Sequence, residues 1–337
     1  MSILSPAGWL YGRIADLRNS LYDRGVLASH SLGARTISIG NLTAGGTGKT
    51  PLVAYVAEIL TQSGQKVCIL TRGYGRRNPR ERVLVSNFDD VLADARTGGD
   101  EPVELATRLR GGSAVIANAN RVSAAREAVE RLGATALVLD DAFQHRRAKR
   151  DLDIVCLDAT NPFGNKELLP AGSLREPMKN LRRADVVVIT RSNLVDDQSL
   201  LRAKIVECAG NIPVFESSNK ISGLTEVSEF NAVAEKGSKA LAFCALGNPS
   251  NFFSQLTSEG YDLVSKKPFP DHHYYRKDEI AKLEKKARAA GAEILLTTGK
   301  DSVKLVGFEF GMPCFVVETT LSFDDSDGFN RLITSFS

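Results

Sequence analysis

A glycine-rich stretch with a lysine and a threonine, residues 40–50, is the part of the sequence best suited to bind phosphate. It reads GNLTAGGTGKT and lies between an apolar run that ends at Ile39 and a helical pattern of apolar residues that begins at Leu52. A strand, a glycine-rich loop and a helix in this order are typical of a P-loop. Backbone N–H groups of such a loop converge on phosphate oxygens, and the helix N-terminus adds partial positive charge.

Within this stretch, Lys49 is expected to reach the β- and γ-phosphates of ATP, and the Thr50 hydroxyl is expected to bind Mg²⁺. The predicted phosphate-binding residues are Thr43, Ala44, Gly45, Gly46, Thr47, Gly48, Lys49 and Thr50. Thr43 departs from the usual pattern, which has a glycine at this position. The alternative is a glycine-rich turn between a strand and a helix that binds nothing.

Two carboxylates, Asp140 and Asp141, follow the apolar run 136–139. Beside a P-loop, an apolar strand that ends in acids is typical of the Walker B segment, whose carboxylate holds Mg²⁺. The alternative is a polar strand end that begins a loop. The sequence therefore predicts an ATP and Mg²⁺ site that is built from two separate segments.

Other candidate residues have strong alternatives. Asp100 follows two glycines and precedes a helical pattern, where aspartate is also a common N-cap. The run 271–275, DHHYY, contains the one pair of adjacent histidines in a chain with four histidines, but Asp271 also fits a simple turn. Arginines crowd residues 72–82, which suits an anionic acceptor and is equally typical of a solvated loop. Zinc is not expected, because a second ligand cluster is missing from the sequence.

Composition indicates a soluble α/β protein of about two domains. The chain has 337 residues, of which 43% are apolar and 25% charged, and its net charge of +3 does not suggest a nucleic-acid partner. Five cysteines without a C-x-x-C pair favour a reducing compartment. Neither a signal peptide nor a bilayer-spanning run is visible, so a cytosolic protein is expected, without excluding contact with a membrane surface.

Strand and helix patterns alternate along the chain, which predicts a doubly wound, mostly parallel α/β sheet. Runs such as LVLD and DVVVIT are nearly all apolar, as parallel strands covered on both faces are. The predicted strands are 36–40, 66–71, 113–118, 136–140, 153–158, 185–190 and 213–216, and the predicted helices include 50–62, 101–110 and 120–132.

A second α/β unit is expected after a polar stretch at 223–239. Its predicted strands are 240–245, 262–265, 293–297 and 314–318, and its predicted helices are 249–259 and 276–290. We therefore expect a P-loop domain over residues 31–225 and a smaller α/β domain over residues 226–337. A cleft between two such units is a natural site for two substrates.

Residues 1–30 form a third region with the pattern of an amphipathic helix. Leu10, Ile14, Leu17 and Leu21 recur on one helical face, and aromatic rings and arginines accompany them. Such a helix can lie in a bilayer interface, with the arginines on anionic lipid. The alternative is a helix that packs on its own domain.

Seven ordered motifs give the sequence a family resemblance. They read GNLTAGGTGKTP, TRGYGR, GDEP, LDDAFQHRR, LLPAGSLREP, FPDHHYY and TTGKD, and they extend from Gly40 to Asp301. This set resembles the lipid A 4′-kinases, also called tetraacyldisaccharide 4′-kinases. The family pattern shares the Thr43 departure, because its motif also begins GNxTxGGTGKT.

The resemblance implies transfer of the γ-phosphate of ATP to the 4′-hydroxyl of a tetraacylated glucosamine disaccharide 1-phosphate, in lipid A and lipopolysaccharide biosynthesis. It also implies two α/β domains whose cleft closes on ATP. It implies a peripheral, monotopic protein on the cytoplasmic face of the bacterial inner membrane, attached partly through its N-terminal helix. This shifts our expectation for residues 1–30 to membrane contact, and we expect a monomer.

The resemblance further assigns roles to individual residues. The implied catalytic positions are Asp100, His272, Lys49 and Arg121, the implied metal positions are Thr50, Asp140 and Asp141, and the further active-site positions are His145, Arg175 and Glu176. Asp100 and His272 match the pair that activates the acceptor hydroxyl, with His273 as the alternative histidine. We expect Asp100 to be the base, with His272 orienting it or sharing the proton.

Two other classes of protein remain as alternatives. One is a membrane-associated regulatory ATPase of the partition type, which carries a second lysine just before the glycine pair, where this chain has Ala44. The other is a P-loop kinase or ligase that acts on a soluble small molecule. Phosphorylation of a lipid extract would separate a lipid kinase from that second class.

Overall fold

The structure is a computed structural model that describes residues 4–228, 230–235 and 237–335. Its strands are β1 (Arg35–Asn41), β2 (Val67–Thr71), β3 (Val83–Ser86), β4 (Ser113–Ala117), β5 (Ala136–Asp140), β6 (Leu152–Asp158), β7 (Val186–Thr190), β8 (Val214–Glu226), β9 (Lys239–Cys244), β10 (Asp262–Pro268), β11 (Ile294–Thr298) and β12 (Cys314–Phe323). Its α-helices are α1 (Ser5–Asp23), α2 (Lys49–Gln62), α3 (Ala95–Gly98), α4 (Asp100–Arg108), α5 (Arg121–Glu130), α6 (Ser199–Ala209), α7 (Pro249–Ser258), α8 (Lys277–Ala289), α9 (Gly299–Ser302) and α10 (Ser326–Ser335).

The strands form one mixed sheet in the order β10-β9-β11-β12-β8-β7-β6-β1-β5-β2-β4-β3. Strands β9 to β12 on one side pair in parallel with their neighbours, as do β1, β2 and β4 to β8 on the other. Antiparallel pairing joins β8 to β12 and adds β3 at an edge. The predicted doubly wound, mostly parallel α/β sheet is confirmed.

The P-loop strand β1 lies between β5 and β6, in the buried centre of the sheet. Strands β1, β5, β6 and β7 are parallel, so their carboxyl ends meet at one edge. Asp140, Asp158 and Thr190 are the last residues of β5, β6 and β7, and all three lie at that edge. Buried apolar side chains fill both faces of these strands, which explains their nearly all-apolar sequences.

Two strands are longer than the sequence indicates. The predicted strand at 213–216 continues as β8 to Glu226, and the predicted strand at 314–318 continues as β12 to Phe323. The additional residues pair antiparallel with each other. Several of them line an open cleft, including Asn219, Thr225 and Thr319, so they are polar. Because these residues lack an apolar pattern, the sequence predicts a polar connecting stretch from residue 223 onwards. That prediction is wrong for residues 223–226, which are the end of β8.

The predicted boundary between residues 225 and 226 lies within β8, which pairs with both β7 and β12. The C-terminal helix α10 returns to the P-loop side of the sheet, where Phe329 packs in the core beneath α2. Tyr55 of α2 donates a hydrogen bond to the Asn330 side chain at 3.0 Å. The division into two domains stays a prediction.

Helix α1 packs on the protein through small side chains and leaves large apolar ones exposed. Gly8, Gly12 and Ala15 are buried, and a β-carbon at Gly12 would lie 2.5 Å from the Leu168 side chain. Trp9, Leu10, Ile14 and Leu17 are between 55% and 66% exposed. The amphipathic helix is thus present, with its bulky apolar face directed away from the protein.

Across the described part of the chain, we find no helix that combines the length and the apolar character needed to cross a bilayer.

Close packing at the end of β1 gives a test of the fold. A β-carbon at Gly40 would lie 2.6 Å from both Cβ and the backbone nitrogen of Phe143. We expect Gly40→Ala to lower the free energy of unfolding by about 1–3 kcal/mol, because backbone must move to accept it. Gly223→Ala is the control, since its β-carbon would meet only Glu318 at 4.0 Å. Urea unfolding measures both, and equal stabilities for the two variants would contradict the packing argument.

Candidate active site

The phosphate-binding loop is held by hydrogen bonds from the ends of two strands, β1 and β7. Gly48 has a φ of 76° at the start of α2, where a left-handed backbone favours glycine. The Asn41 amide donates to the Thr43 carbonyl at 2.6 Å and to the Thr47 hydroxyl at 2.9 Å. The Thr190 hydroxyl donates to the Thr47 carbonyl at 2.9 Å. These bonds fix the loop, so that the N–H groups after Ala44 are the natural donors to a phosphate, while the Ala44 N–H itself donates within the protein.

A second support comes from the segment at residues 163–175. The Ala44 N–H donates to the Ser173 carbonyl at 2.7 Å, and the Arg175 N–H donates to the Leu42 carbonyl at 2.8 Å. On the other side of the loop, Arg191 donates to the Gly46 carbonyl at 3.0 Å and pairs with Asp158. The loop is therefore fixed from both sides before any ligand binds.

Asp141 is the centre of the first charged cluster. Arg175 donates to both of its carboxylate oxygens at 2.8 Å, and the Lys49 ammonium lies 3.4 Å away. Burial favours a raised pKa for Asp141, but Lys49 and Arg175 outweigh it and hold that pKa below its ordinary value. The residue has a φ of 51°, an uncommon left-handed backbone for a non-glycine residue. Asp141 is thus kept ionised beside the phosphate-binding loop.

Asp140 differs from its neighbour because its carboxylate forms no ion pair with any residue that the structure describes. It is 6% exposed and accepts a hydrogen bond from the Thr71 hydroxyl at 2.9 Å. Burial, with the nearby charge of Asp141, raises the pKa of Asp140 to about 6. A buried carboxylate of this kind gains from a bound cation, and Thr50, Asp140 and Asp141 all line the same cleft. Two carboxylates and a hydroxyl fit Mg²⁺, which takes few protein ligands and keeps several waters.

Arg121 lies behind these acids. It is 3% exposed, and its guanidinium donates to the carbonyls of Asn118 at 2.6 Å and Asp140 at 3.1 Å. Burial lowers its pKa to about 10, which still leaves it charged at neutral pH. In this structure Arg121 fixes the backbone that carries the acids and does not line the cleft.

The second charged cluster is the pair of Asp100 and His272. His272 Nδ1 lies 2.9 Å from Asp100 Oδ2 and 3.0 Å from Oδ1. Asp100 is 1% exposed, whereas the His272 side chain is 30% exposed and lines the cleft. His273 instead contacts Glu279 at 2.9 Å and stacks on Phe269. The pairing of Asp100 with His272 rather than His273 is confirmed, and their catalytic role stays a prediction.

Charge explains the state of this pair. The hydrogen bond with Asp100 raises the pKa of His272 above its ordinary value, despite burial and the nearby Lys300. Burial of Asp100 favours a raised pKa, but the His272 hydrogen bond and the charges of Lys300 and Lys304 hold that pKa below its ordinary range. Asp100 is therefore a carboxylate that accepts a hydrogen bond from Nδ1–H of His272, and the other ring nitrogen, Nε2, is not part of this bond.

One cleft of about 1620 Å³ contains both clusters. The P-loop, Asp140, Asp141 and Arg175 line one part of it, and His272 and Lys300 line another. Strands β8 and β12 and helix α7 contribute the polar walls between them. Typical small-ligand pockets hold about 300–1,000 Å³, so this cleft has room for more than one substrate.

His145 and Glu176 lie outside the cleft lining. His145 is half-buried, and burial together with Arg121 and Arg150 lowers its pKa to about 4, so the ring is neutral at pH 7. Glu176 is fully buried and accepts hydrogen bonds from three side chains: Asn19 at 2.7 Å, Asn180 at 3.0 Å and Arg183 at 2.8 Å. Glu176 thus attaches α1 to the protein, while its neighbour Arg175 faces the phosphate loop.

Asp158, Arg191 and Lys300 are among the charged residues of the cleft that sequence reasoning missed. Asp158 and Arg191 lie at the carboxyl ends of β6 and β7, the same edge as the P-loop. Lys300 follows β11 in the motif TTGKD and contacts Asp271 at 3.0 Å and Glu101 at 3.1 Å. A rule that every polar residue at a parallel strand's carboxyl end is a candidate would have found all three.

A phosphate-binding loop that shares its cleft with a carboxylate–histidine pair is the arrangement expected of a P-loop phosphotransferase, which holds a nucleotide at the loop and an acceptor at the pair. The model of the tetraacyldisaccharide-1-P 4′-kinase family matches residues 1–336. The chain belongs to the tetraacyldisaccharide 4′-kinase family, the ATP-dependent kinases of lipid A biosynthesis.

Individual relatives agree over nearly the whole chain. The tetraacyldisaccharide 4′-kinase of Desulfotalea psychrophila is 35% identical over 346 residues, covering 99% of this chain and 98% of that protein. That of Geobacter metallireducens is 40% identical over 310 residues, covering 90% of this chain and 88% of that protein. A crystal structure of LpxK from Aquifex aeolicus in complex with ATP has a TM-score of 0.78 at 32% identity, covering 99% and 98% of the two chains.

Lys49 gives the direct test of the phosphate site. We expect Lys49→Ala to lower kcat by about 10²-fold or more, because a preorganised cation is removed from the transferring phosphoryl group. Steady-state kinetics with ATP would measure it, and Lys66→Ala, which changes an exposed lysine beyond α2, is the control. Near-normal turnover of the Lys49 variant would contradict the assignment.

Proposed function

We propose that this chain transfers the γ-phosphate of ATP to the 4′-hydroxyl of a tetraacyldisaccharide 1-phosphate. The observation that carries the proposal is the Asp100–His272 contact of 2.9 Å in the same cleft as the P-loop, in a chain matched by the family over residues 1–336. Incubation with ATP, Mg²⁺ and the disaccharide 1-phosphate in detergent tests it. Mass spectrometry should show one added phosphate, and an unmodified disaccharide would contradict it.

The phosphate end of the cleft stabilises charge. Lys49 and the loop N–H groups hold the β- and γ-phosphates, where negative charge spreads during transfer. Thr50, Asp140 and Asp141 are the residues that would hold Mg²⁺, which supplies further neutralisation of phosphate charge. Arg175, already beside Asp141, adds a planar guanidinium suited to phosphate oxygens.

The other end of the cleft receives the proton. As the 4′-oxygen bonds to the γ-phosphorus, ADP leaves and the hydroxyl proton must be accepted by a base. His272 Nε2 is the exposed nitrogen of the pair and accepts that proton, while Asp100 holds Nδ1–H and stabilises the imidazolium that forms. We therefore assign the base to His272 and not to Asp100, the base expected from the sequence, because Asp100 is too deeply buried to meet a sugar hydroxyl.

Helix α1 supports a peripheral place on the cytoplasmic face of the bacterial inner membrane. An acylated acceptor stays in the bilayer, so a kinase for it has to work at the bilayer surface. The exposed Trp9, Leu10, Ile14 and Leu17 form the apolar face that an interfacial helix needs, and Arg13 lies over the Trp9 ring at 5.9 Å.

The base assignment predicts coupled losses. We expect Asp100→Ala and His272→Ala each to lower kcat by about 10²–10⁴-fold, with ATP affinity nearly unchanged, because general-base catalysis is removed. The double variant should lose little more than the worse single variant, since residues that act as a unit are not additive. Kinetics and ATP titration of the three variants measure this, and losses that multiply would show that the residues act independently.

The same assignment predicts a pH profile. A neutral His272 is required, so kcat/KM should fall as the pH drops through its pKa, which Asp100 raises above 6.5. Asp100→Asn removes that raising charge and should move the acidic limb to lower pH. If the pH at which kcat/KM falls does not change in this variant, the fall reports the titration of another group, such as Asp140.

The membrane assignment is tested on the exposed face of α1. Leu10→Glu with Ile14→Glu should release the protein from phospholipid vesicles while ATP binding is retained, because both side chains point away from the core. Vesicle co-sedimentation measures release. The matched control is Leu200→Glu with Val206→Glu on α6, where the side chains are 85% and 54% exposed. Equal association of both double variants would favour α1 as a simply packed helix.

A further inference from the structure

The motif TTGKD, residues 297–301, lies beside the Asp100–His272 pair and places Lys300 next to Asp100. The Lys300 ammonium is 3.0 Å from Asp271, 3.1 Å from Glu101 and 3.9 Å from Asp100. Its side chain is only 9% exposed. Glu101 belongs to α4 and Asp271 to the loop after β10, so one lysine joins the two segments that carry the pair.

A second lysine completes the cluster. Lys304 is fully buried and lies 2.8 Å from Asp301 and 3.7 Å from Asp100. Asp301 accepts hydrogen bonds from the Ala245 N–H at 3.0 Å and the Tyr275 hydroxyl at 2.9 Å, which fixes the turn that carries both lysines. Buried charges persist only when they are paired, so these lysines and carboxylates require one another.

We propose that Lys300 is a positioning residue for phosphoryl transfer, whose ammonium group ties Glu101 to Asp271 and opposes protonation of His272, so that the ring can accept the hydroxyl proton. The inference rests on the proposed role of the pair as the base. Carboxylates alone around His272 would favour the imidazolium, which cannot take up a further proton. A fixed positive charge in the same cluster opposes that protonation, and so lowers the pH at which the base reaches its unprotonated form.

Lys300 is suited to this role because it stays charged. Burial lowers its pKa, but Glu101, Asp100 and Asp271 outweigh burial and hold that pKa above its ordinary value. Among the described residues, the titratable and charged groups that interact with the pair include Asp271 and Tyr274 on the loop of His272, Glu104 on α4, and Lys300 and Lys304 after β11. Other charged and titratable groups contact these residues in turn: Glu101, Arg96, Tyr275 and Asp301.

The test measures the His272 pKa by NMR of histidine-labelled protein, in which the chain's four histidines are assigned with a His272 variant. Lys300→Met should raise the His272 pKa by about one unit, the low end for a charge within about 4–6 Å. Asp271→Asn should lower it, because it removes a carboxylate 3.7 Å from Nε2. A merely structural role would move both variants in the same direction or move neither.

Activity gives the second readout. The acidic limb of kcat/KM should move to higher pH in Lys300→Met and to lower pH in Asp271→Asn, while Lys300→Arg, which keeps the charge, should retain the limb of the unmodified protein. Lys204→Met, which breaks an exposed ion pair of 2.6 Å with Glu207, is the control. ATP binding of each variant reports folding, and if Lys300→Met does not fold, Lys300→Gln, which also removes the charge but keeps a polar side chain, takes its place in both measurements.

The outcomes separate the two proposals. An unchanged His272 pKa in the folded Lys300 and Asp271 variants overturns the role of Lys300 and leaves the base assignment standing. Full turnover of His272→Ala overturns the base assignment, whereas the NMR shifts would still show whether Lys300 controls the imidazole.

Discussion

The carboxylate of Asp141, bound by Lys49 and Arg175, is the interaction on which the rest of the site depends. It joins three segments that are far apart in sequence: the end of β5, the start of α2 and the segment at 163–175. Without the carboxylate, two cations would face each other beside a helix N-terminus that is itself positive. With it, the phosphate-binding loop is complete and electrically balanced before the nucleotide arrives.

The Asp100–His272 pair is also held by buried groups of opposite charge, but here the functional group is a base and not a pair of cations. At the phosphate end, cations must be available to an anionic ligand, so a single carboxylate holds two of them. At the acceptor end, a neutral base must persist among several carboxylates, so two lysines lie beneath the pair. Both clusters are largely shielded from water, where charges interact more strongly than at the surface. The two ends of the cleft therefore differ in charge. At the phosphate end a buried carboxylate holds two cations, and at the acceptor end buried lysines lie beside the carboxylates.

The parts of the site that lie in contiguous motifs could be predicted from the sequence, as with Lys49, Thr50, Asp140 and Asp141. Contacts between distant segments could not: nothing local shows that Asp100 meets His272, which only the family resemblance indicated, or that Lys300 lies under both. Residues that are adjacent in sequence can also have different roles, since Arg175 binds Asp141 beside the phosphate loop whereas Glu176 holds Asn19 of α1. The sheet was predictable wherever strands are covered on both faces. The prediction ended β8 and β12 too early, where many cleft-facing residues are polar, and it missed the short edge strand β3.

The segment at residues 163–175 touches α1 at Leu168 and the phosphate loop at Ser173, so a few residues set the distance between them. If α1 lies in the plane of a bilayer, this segment acts as a spacer that fixes the height of the catalytic edge above the lipid. The length of this segment then decides which acceptors the catalytic residues can reach, because it sets a distance and not a contact with the substrate. A longer spacer would leave the chemistry intact for an acceptor in solution and place the same acceptor out of reach when its acyl chains stay in the membrane.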